Sequence, residues 1–301
     1  MSLLTKPGSA YVGRFAPSPT GDLHLGSLAA AAASFLHARQ SGGEWLVRVE
    51  DIDPPREVPG SADSILRTLE ALGLEWDRDV RRQSTRFAAY LGVADRLFAR
   101  GEAYYCSCSR QQIRAASAGE RYPGTCRDKG LSGTDAALRL RVTEGDVGLT
   151  DGLRGAVTRR IAETDGDFVI VRRDGLPAYH LAVVVDDADQ GVTDIVRGAD
   201  LLDSTPLHVC LQRRLGLPVP RYWHIPLVTN AEGEKLSKGT GAAAIDSRRP
   251  SDSVLRVLRA LRLTPPGALR GAPPRELWHW ALDHFAIGRL DANVSATALF
   301  E

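Results

Sequence analysis

Lysine is scarce in this 301-residue chain: only four of its 38 basic side chains are lysine and the rest are arginine. No apolar run approaches the roughly 20 residues that a membrane span needs. Residues 1–10 carry one lysine, no apolar core and no cleavage-like pattern. Neither a spanning helix nor a secretory leader is therefore expected, and the cytoplasm is the expected compartment. Four cysteines are too few for a disulfide framework in a chain of this length. A formal net charge of +1 excludes a strongly basic global field, so any nucleic-acid surface has to be a local patch. The length is enough to bury a sizeable core as one large domain or two smaller ones.

Two of the four lysines stand together in Lys235-Leu236-Ser237-Lys238. Where arginine is otherwise the default cation, this pairing points to a site that needs a compact, flexible ammonium, with phosphate as the expected counter-ion. Gly239-Thr240-Gly241 follows and gives the loop freedom to close over a ligand. A matching half lies upstream. An apolar strand around Tyr11 to Phe15 runs into the turn Ala16-Pro17-Ser18-Pro19-Thr20-Gly21, and an alanine-rich helix is expected from about Ser27 to Arg39. Gly26 lets a bulky ligand approach the backbone at the helix N-terminus, where unpaired N–H groups favour an anion, and His24 stands at the helix mouth as a donor to phosphate oxygen.

Further along, Glu44 to Val49 reads as a strand that ends in Glu50, Asp51 and Asp53 before Pro54-Pro55 breaks it. Carboxylates at the C-terminal end of a strand in a doubly wound sheet are placed to meet a ligand's amino group. Ser61 to Leu72 and Ser84 to Arg100 have helical periodicity. Phe168 to Val171 and Leu181 to Val185 are β-branched runs that read as buried strands of a resumed parallel sheet, the second ending in Asp186-Asp187. Thr193 to Val196 reads as another strand, ending at Arg197-Gly198, and an arginine there can fork onto a carboxylate. The expected fold is α/β with a Rossmann-like, doubly wound parallel sheet.

These motifs, in this order, resemble the class I aminoacyl-tRNA synthetases, and within them the glutamyl branch. His24-Leu25-Gly26-Ser27 is similar to the first signature of that class and Lys235-Leu236-Ser237-Lys238-Gly239 to the second. Ser27 departs from the usual His or Gly. Arg14 to Gly21, Arg48 to Asp53, Pro177 to His180, Val185 to Asp187 and Arg197 to Asp200 resemble the glutamyl branch. The resemblance implies that Arg14, Phe15, Ala16, Pro17, Ser18, Glu50, Tyr179 and Arg197 bind L-glutamate. It further implies that His24, Gly26 and Lys238 hold ATP, which brings Mg²⁺, and that His24, Lys235 and Lys238 carry the catalysis. On the residues alone, two cations near one polar pocket fit a ligand with two carboxylates. A structural ion pair of Arg197 with Asp194 or Asp200, and a half-buried core role for Tyr179, are equally compatible.

Three of the cysteines cluster, with Cys106 and Cys108 two residues apart and Cys126 following Tyr122-Pro123-Gly124-Thr125. A thiolate-rich group of this kind favours one zinc ion in tetrahedral geometry, against the alternative of three reduced thiols without a metal. The spacing offers no fourth Cys or His, and resemblance suggests Tyr122 as the fourth ligand. Cys210 lies in an apolar stretch and reads as a small buried residue.

The expected organisation is a first half of the catalytic domain over 1–100, an inserted zinc-bearing acceptor-type subdomain over 101–165, the second half over 166–240, and a short helical C-terminal region over 241–301. In that last region Ser251-Asp252-Ser253 is expected to cap a helix running to about Leu263, with Arg256, Arg259 and Arg262 on a solvated face. A final amphipathic helix is expected from Arg275 to Ile287. About 60 residues after the second signature leave no room for the helical anticodon-binding domain of full-length glutamyl enzymes. This pattern matches paralogues that lack that domain and esterify the queuosine base of tRNA(Asp). The expected activity is tRNA-independent formation of glutamyl-adenylate followed by transfer to queuosine, by a monomer that does not bind membranes. The alternatives are a discrete enzyme charging a tRNA 3′ end and a non-catalytic zinc-bearing RNA-binding module.

Overall fold

The computed structural model describes residues 11–117, 121–143, 145–229 and 245–290; Lys235 and Lys238 lie outside them. The first half comprises β1 (Val12–Phe15), α1 (Leu25–Gln40), β2 (Glu44–Val49), α2 (Ser61–Ala71), β3 (Arg81–Arg82) and α3 (Phe87–Ala99). Next come β4 (Ala103–Cys106), α4 (Arg110–Ala116), β5 (Ala137–Leu140), the hairpin β6 (Val147–Asp151) and β7 (Gly155–Arg159), α5 (Ile161–Thr164) and β8 (Val169–Val171). The chain continues through α6 (Tyr179–Asp189), β9 (Asp194–Gly198), α7 (Thr205–Leu215), β10 (Arg221–Ile225), α8 (Pro250–Ala260) and α9 (Pro274–His284).

The main sheet has the order β3-β2-β1-β9-β10-β6-β7. All its pairings are parallel except the β6–β7 hairpin. The chain leaves β1 in one direction for β2 and returns on its other side as β9, so a crevice opens beyond the C-terminal ends of β1 and β9, where a doubly wound sheet binds ligands. Helices cover both faces. On one face α1 packs with α8 and α9; on the other α6 and α7 lie together, with α3 against α6. Helix α1 is buried along most of its length because its alanines let the backbone approach the sheet closely. Trp278 of α9 is fully buried and its indole N–H donates to the Leu72 carbonyl at 2.7 Å, so the C-terminal helices are part of the same core.

Three local expectations differ from the structure. Leu181 to Val185 is not a strand but the first part of α6. A short apolar run carries no period that separates a buried strand from a helix packed on all sides, and Leu181, Val183 and Val184 are within 1% of full burial. Consequently Asp186 and Asp187 are helical residues inside the body of the protein. Val169–Val171 is a strand, but it pairs antiparallel with β5 in a separate sheet of order β4-β5-β8, and the parallel sheet resumes only at β9. The hairpin β6–β7 runs back to the main sheet, where β6 pairs with β10 through Tyr222 and Asp151. At the C-terminal end, α8 starts at Pro250 without a side-chain cap; the Ser253 hydroxyl donates to the Asp246 carbonyl at 3.1 Å instead. Arg256, Arg259 and Arg262 are exposed, although Arg262 lies beyond the helix with φ of 61°.

Candidate functional site

A cavity of about 500 Å³ opens at the ends of β1 and β9. The run Arg14 to Ser18, His24 and Gly26 at the start of α1, Glu50 beyond β2, Tyr179 and Arg197 all line it. Residues up to 183 positions apart in the chain are thus brought to one wall-to-wall space, and the structure adds Asp200 to its lining.

His24 is the N-cap of α1. Its Nδ1 accepts the Ser27 N–H at 3.2 Å, and the Ser27 hydroxyl accepts the His24 N–H at 3.0 Å. This reciprocal cap satisfies two helix-end donors and explains why serine is compatible with a position where the family signature usually has another residue. With Nδ1 as acceptor, a neutral ring carries its proton on Nε2, the tautomer that donates.

Beneath the cavity floor lies a buried ionic network. Arg48 is fully buried; its Nη1 donates to Asp187 at 2.8 Å and to Gln190 at 2.9 Å, and its Nη2 to Glu50 at 3.4 Å. Arg14, 4% exposed, donates through Nε to Asp187 at 3.2 Å. Asp187 therefore braces the two arginines, leaving the Nη end of Arg14 at the cavity wall. Burial pushes the Asp187 carboxyl up, but the Arg48 and Arg14 guanidinium groups outweigh it and hold the acid below its ordinary range. For Glu50 burial prevails over the same two arginines, and its pKa is raised. The adjoining Asp186 accepts from Tyr90 at 2.7 Å and from Gln83 and Arg86 at 3.0 Å each. In the sequence Arg48 stands as a charge inside an apolar strand and Asp187 as an acid ending an apolar run, each within a motif of the resemblance, with nothing to join the two. Both are costly burials that mark a paired network.

Arg197, 5% exposed, is held from several sides. Its Nε donates to His224 Nε2 at 3.1 Å, its Nη2 to Thr205 Oγ1 at 2.7 Å and to the Leu201 carbonyl at 3.3 Å, and its Nη1 meets the Tyr179 hydroxyl at 3.5 Å. Asp194, one of the partners considered from sequence, pairs with Arg221 at 2.7 Å. Arg14, Arg197 and Tyr179 thus bring two guanidinium groups and a phenol to the cavity, with Glu50 among its carboxylates.

The cysteines form a second site. The Sγ atoms of Cys106, Cys108 and Cys126 all lie within 4.8 Å of one another, and Cys108 and Cys126 are 3.5 Å apart. Tetrahedral thiolates at about 2.3 Å from a metal stand roughly 3.8 Å apart, so the donor set suits one ion. The Tyr122 hydroxyl accepts the Cys126 N–H at 2.9 Å, which places it beside the thiols, and Arg139 lies 3.9 Å over its ring. Burial pushes the Cys108 thiol up to about 11. Burial acts the same way on Cys126, but hydrogen bonds with Tyr122 and Cys108 prevail and bring it to about 7. Cys210 is buried in α7 away from this group.

A parallel sheet with this crevice, a capped His24 at the first helix and two buried arginines at the cavity define a doubly wound α/β fold of the kind that binds nucleotides at its strand ends. Residues 11–254 match the family described as tRNA synthetases class I (E and Q), catalytic domain, and the chain belongs to that family. It is 53% identical over 272 residues to the glutamyl-Q tRNA(Asp) synthetase of Ectopseudomonas mendocina, covering 90% of this chain and 92% of that protein. It is 50% identical over 295 residues to that of Neisseria meningitidis serogroup C, covering 95% and 99%. Among solved structures, a glutamate tRNA ligase from Elizabethkingia meningosepticum, crystallised with its amino acid, matches with a TM-score of 0.79 at 26% identity over 95% of this chain. This chain spans 66% of that protein's length. Among the described residues, no helix is long and apolar enough to cross a membrane.

Proposed function

We infer that this chain activates glutamate with ATP, without needing tRNA, and transfers the glutamyl group to the queuosine base in the anticodon of tRNA(Asp). The observation that carries this reading is the convergence of Arg14, Tyr179, Arg197 and Glu50 on one cavity beside the N-terminus of α1. It is supported by near-full-length relatives at 50–53% identity that bear this activity in their names.

In the activation step a carboxylate oxygen of glutamate forms a bond to the α-phosphorus of ATP while the bond to the bridging oxygen breaks, and pyrophosphate leaves. No general base is required, so the protein's work is alignment and charge stabilisation. Arg14 and Arg197 receive the two carboxylates, and Glu50 with Tyr179 receives the amino group and fixes its orientation. Phe15, Ala16, Pro17 and Ser18 shape the wall between the amino-acid and nucleotide ends. His24, donating through Nε2, and the backbone at Gly26 hold the ATP phosphates. Lys238, assisted by Lys235, stabilises the departing pyrophosphate, and Mg²⁺ arrives with ATP. In the second step a hydroxyl of queuosine's cyclopentenediol attacks the adenylate carbonyl, giving an ester and AMP and losing its proton. These substrates place the reaction in the cytoplasm.

Cys106, Cys108, Cys126 and Tyr122 would hold one structural zinc, which contributes to folding of that lobe rather than to chemistry. The test supplies ATP and labelled glutamate to queuosine-containing tRNA(Asp), to the same tRNA without queuosine, and to tRNA(Glu). Label is expected on the first alone, and it should survive periodate oxidation of the 3′ end. Equal labelling of tRNA(Glu) would indicate a discrete enzyme that charges the 3′ terminus.

A further inference from the structure

Arg197 reaches the cavity from a strand interior, and its aim is set from behind. Asp151, at the end of β6, is 2% exposed, and its Oδ2 lies 2.6 Å from Nδ1 of His224, which is fully buried in β10. The other oxygen of Asp151 accepts the backbone N–H groups of Leu153 at 3.0 Å and Arg154 at 2.9 Å. On the far side of the imidazole, Nε2 meets Arg197 Nε at 3.1 Å and Thr205 Oγ1 at 3.0 Å. Chain order hides this line of contacts, because the hairpin carrying Asp151 precedes the return of the chain to the parallel sheet and then joins that sheet at its edge.

We propose that Asp151 and His224 are positioning residues for recognition of the acidic substrate: Asp151 selects the Nδ1–H tautomer of His224, and the Nε2 lone pair of His224 holds Arg197 Nε–H. Arginine Nε is a donor only, so the ring nitrogen facing it has to accept; the nitrogen facing a carboxylate at hydrogen-bond distance has to donate. One neutral imidazole satisfies both demands in a single tautomer, and burial favours that neutral ring. With Nε held by His224 and Nη2 by Thr205 and Leu201, the guanidinium is fixed at three points and Nη1 is left directed at Tyr179 and the cavity. The same arrangement, a second group setting which ring nitrogen carries the proton, orients histidines at metal and catalytic centres. Here it orients an arginine.

This inference rests on glutamate being the activated amino acid, and the experiment separates the two. Glutamate-dependent exchange of labelled pyrophosphate into ATP is measured for the unmodified chain and three variants. Asp151→Asn keeps every heavy-atom position. Its amide oxygen stays with the Leu153 and Arg154 N–H groups, so its NH₂ faces Nδ1 and drives the ring proton to Nε2, against Arg197. His224→Asn keeps a donor toward Asp151 but withdraws the acceptor from Arg197. His224→Gln returns an oxygen to the Nε2 position. The expected result is a rise in KM for glutamate of about tenfold or more for D151N and H224N, with KM for ATP within about twofold, and recovery to within about threefold for H224Q. Folded D151N and H224N with unchanged KM for glutamate overturn the proposal, as does an H224Q no better than H224N. Absence of exchange by the unmodified chain instead overturns glutamate activation itself. Should the variants not fold, ¹⁵N chemical shifts of the unmodified protein decide the tautomer. A protonated Nδ1 at His224 is expected, and a protonated Nε2 refutes the relay.

Discussion

Replacing Arg48 with methionine tests whether the ionic floor of the cavity is organised as described. The side chain is fully buried and touches Asp187 and Glu50 at 2.8 and 3.4 Å, with its Nε 3.9 Å from Asp186. Methionine keeps much of the length and loses the charge. Asp186 retains Tyr90, Gln83, Arg86 and Arg81, so it stays satisfied. Asp187 keeps only Arg14 among its cations, and Glu50 is left beside Asp187 in a buried setting. Breaking a buried pair from one side costs about 3–5 kcal/mol. Because one of the three acids is still fully paired, the lower end, about 3 kcal/mol, is expected, equivalent to a fall in Tm of roughly 5 °C for a chain of this length. The pH dependence has a definite sign. Burial already raises the Glu50 carboxyl, and losing Arg48 raises it further. An acid whose folded pKa lies above its unfolded value stabilises the fold only when protonated, so the deficit should be larger at about pH 8 than at about pH 5. Urea unfolding followed by tryptophan fluorescence at both pH values measures it. A loss below about 1 kcal/mol, or one that does not change with pH, would refute the reasoning.

Metal analysis of reduced protein should find about one zinc per chain; Cys108→Ser should lose it and melt lower, whereas Cys210→Ser should keep it, and metal-free wild-type protein would end the assignment. His208 is fully buried with neither ring nitrogen hydrogen-bonded, and burial pushes it well below its ordinary value and His180 to about 4. Both groups are depressed, so the stability of keeping them neutral is complete above their unfolded pKa and is lost as pH falls through the interval below it; His208→Leu should move the acid-unfolding midpoint down by roughly half a pH unit, and an unchanged midpoint counts against it. Gly166 has φ of +69°, and a Cβ there would stand 2.0 Å from the Tyr122 carbonyl oxygen. Gly166→Ala should therefore cost at least about 2 kcal/mol and weaken metal retention, and wild-type values for both would show that the backbone around Tyr122 yields more easily than the geometry suggests.

Much of this protein was legible before any coordinates. The helix α1, the turn before it and the acids after β2 follow from short-range rules of strand, turn and helix, because each depends on neighbours within a few residues, whereas the reciprocal cap of His24 and Ser27 emerged only in the structure. The cysteine cluster was legible for the same reason, since a local loop brings Cys106, Cys108 and Cys126 together. Ordered motifs also separated the residues that line the cavity from the many arginines that do not. Tertiary structure alone decided the rest. Leu181 to Val185 became helix because burial on every side erases the period that distinguishes the two conformations. Arg48 met Asp187 across 139 positions, and His224 met Asp151 across 73. Such pairs leave no local trace: a buried charge or a buried imidazole announces that a partner is required, but which partner it finds is set by how the sheet orders its strands.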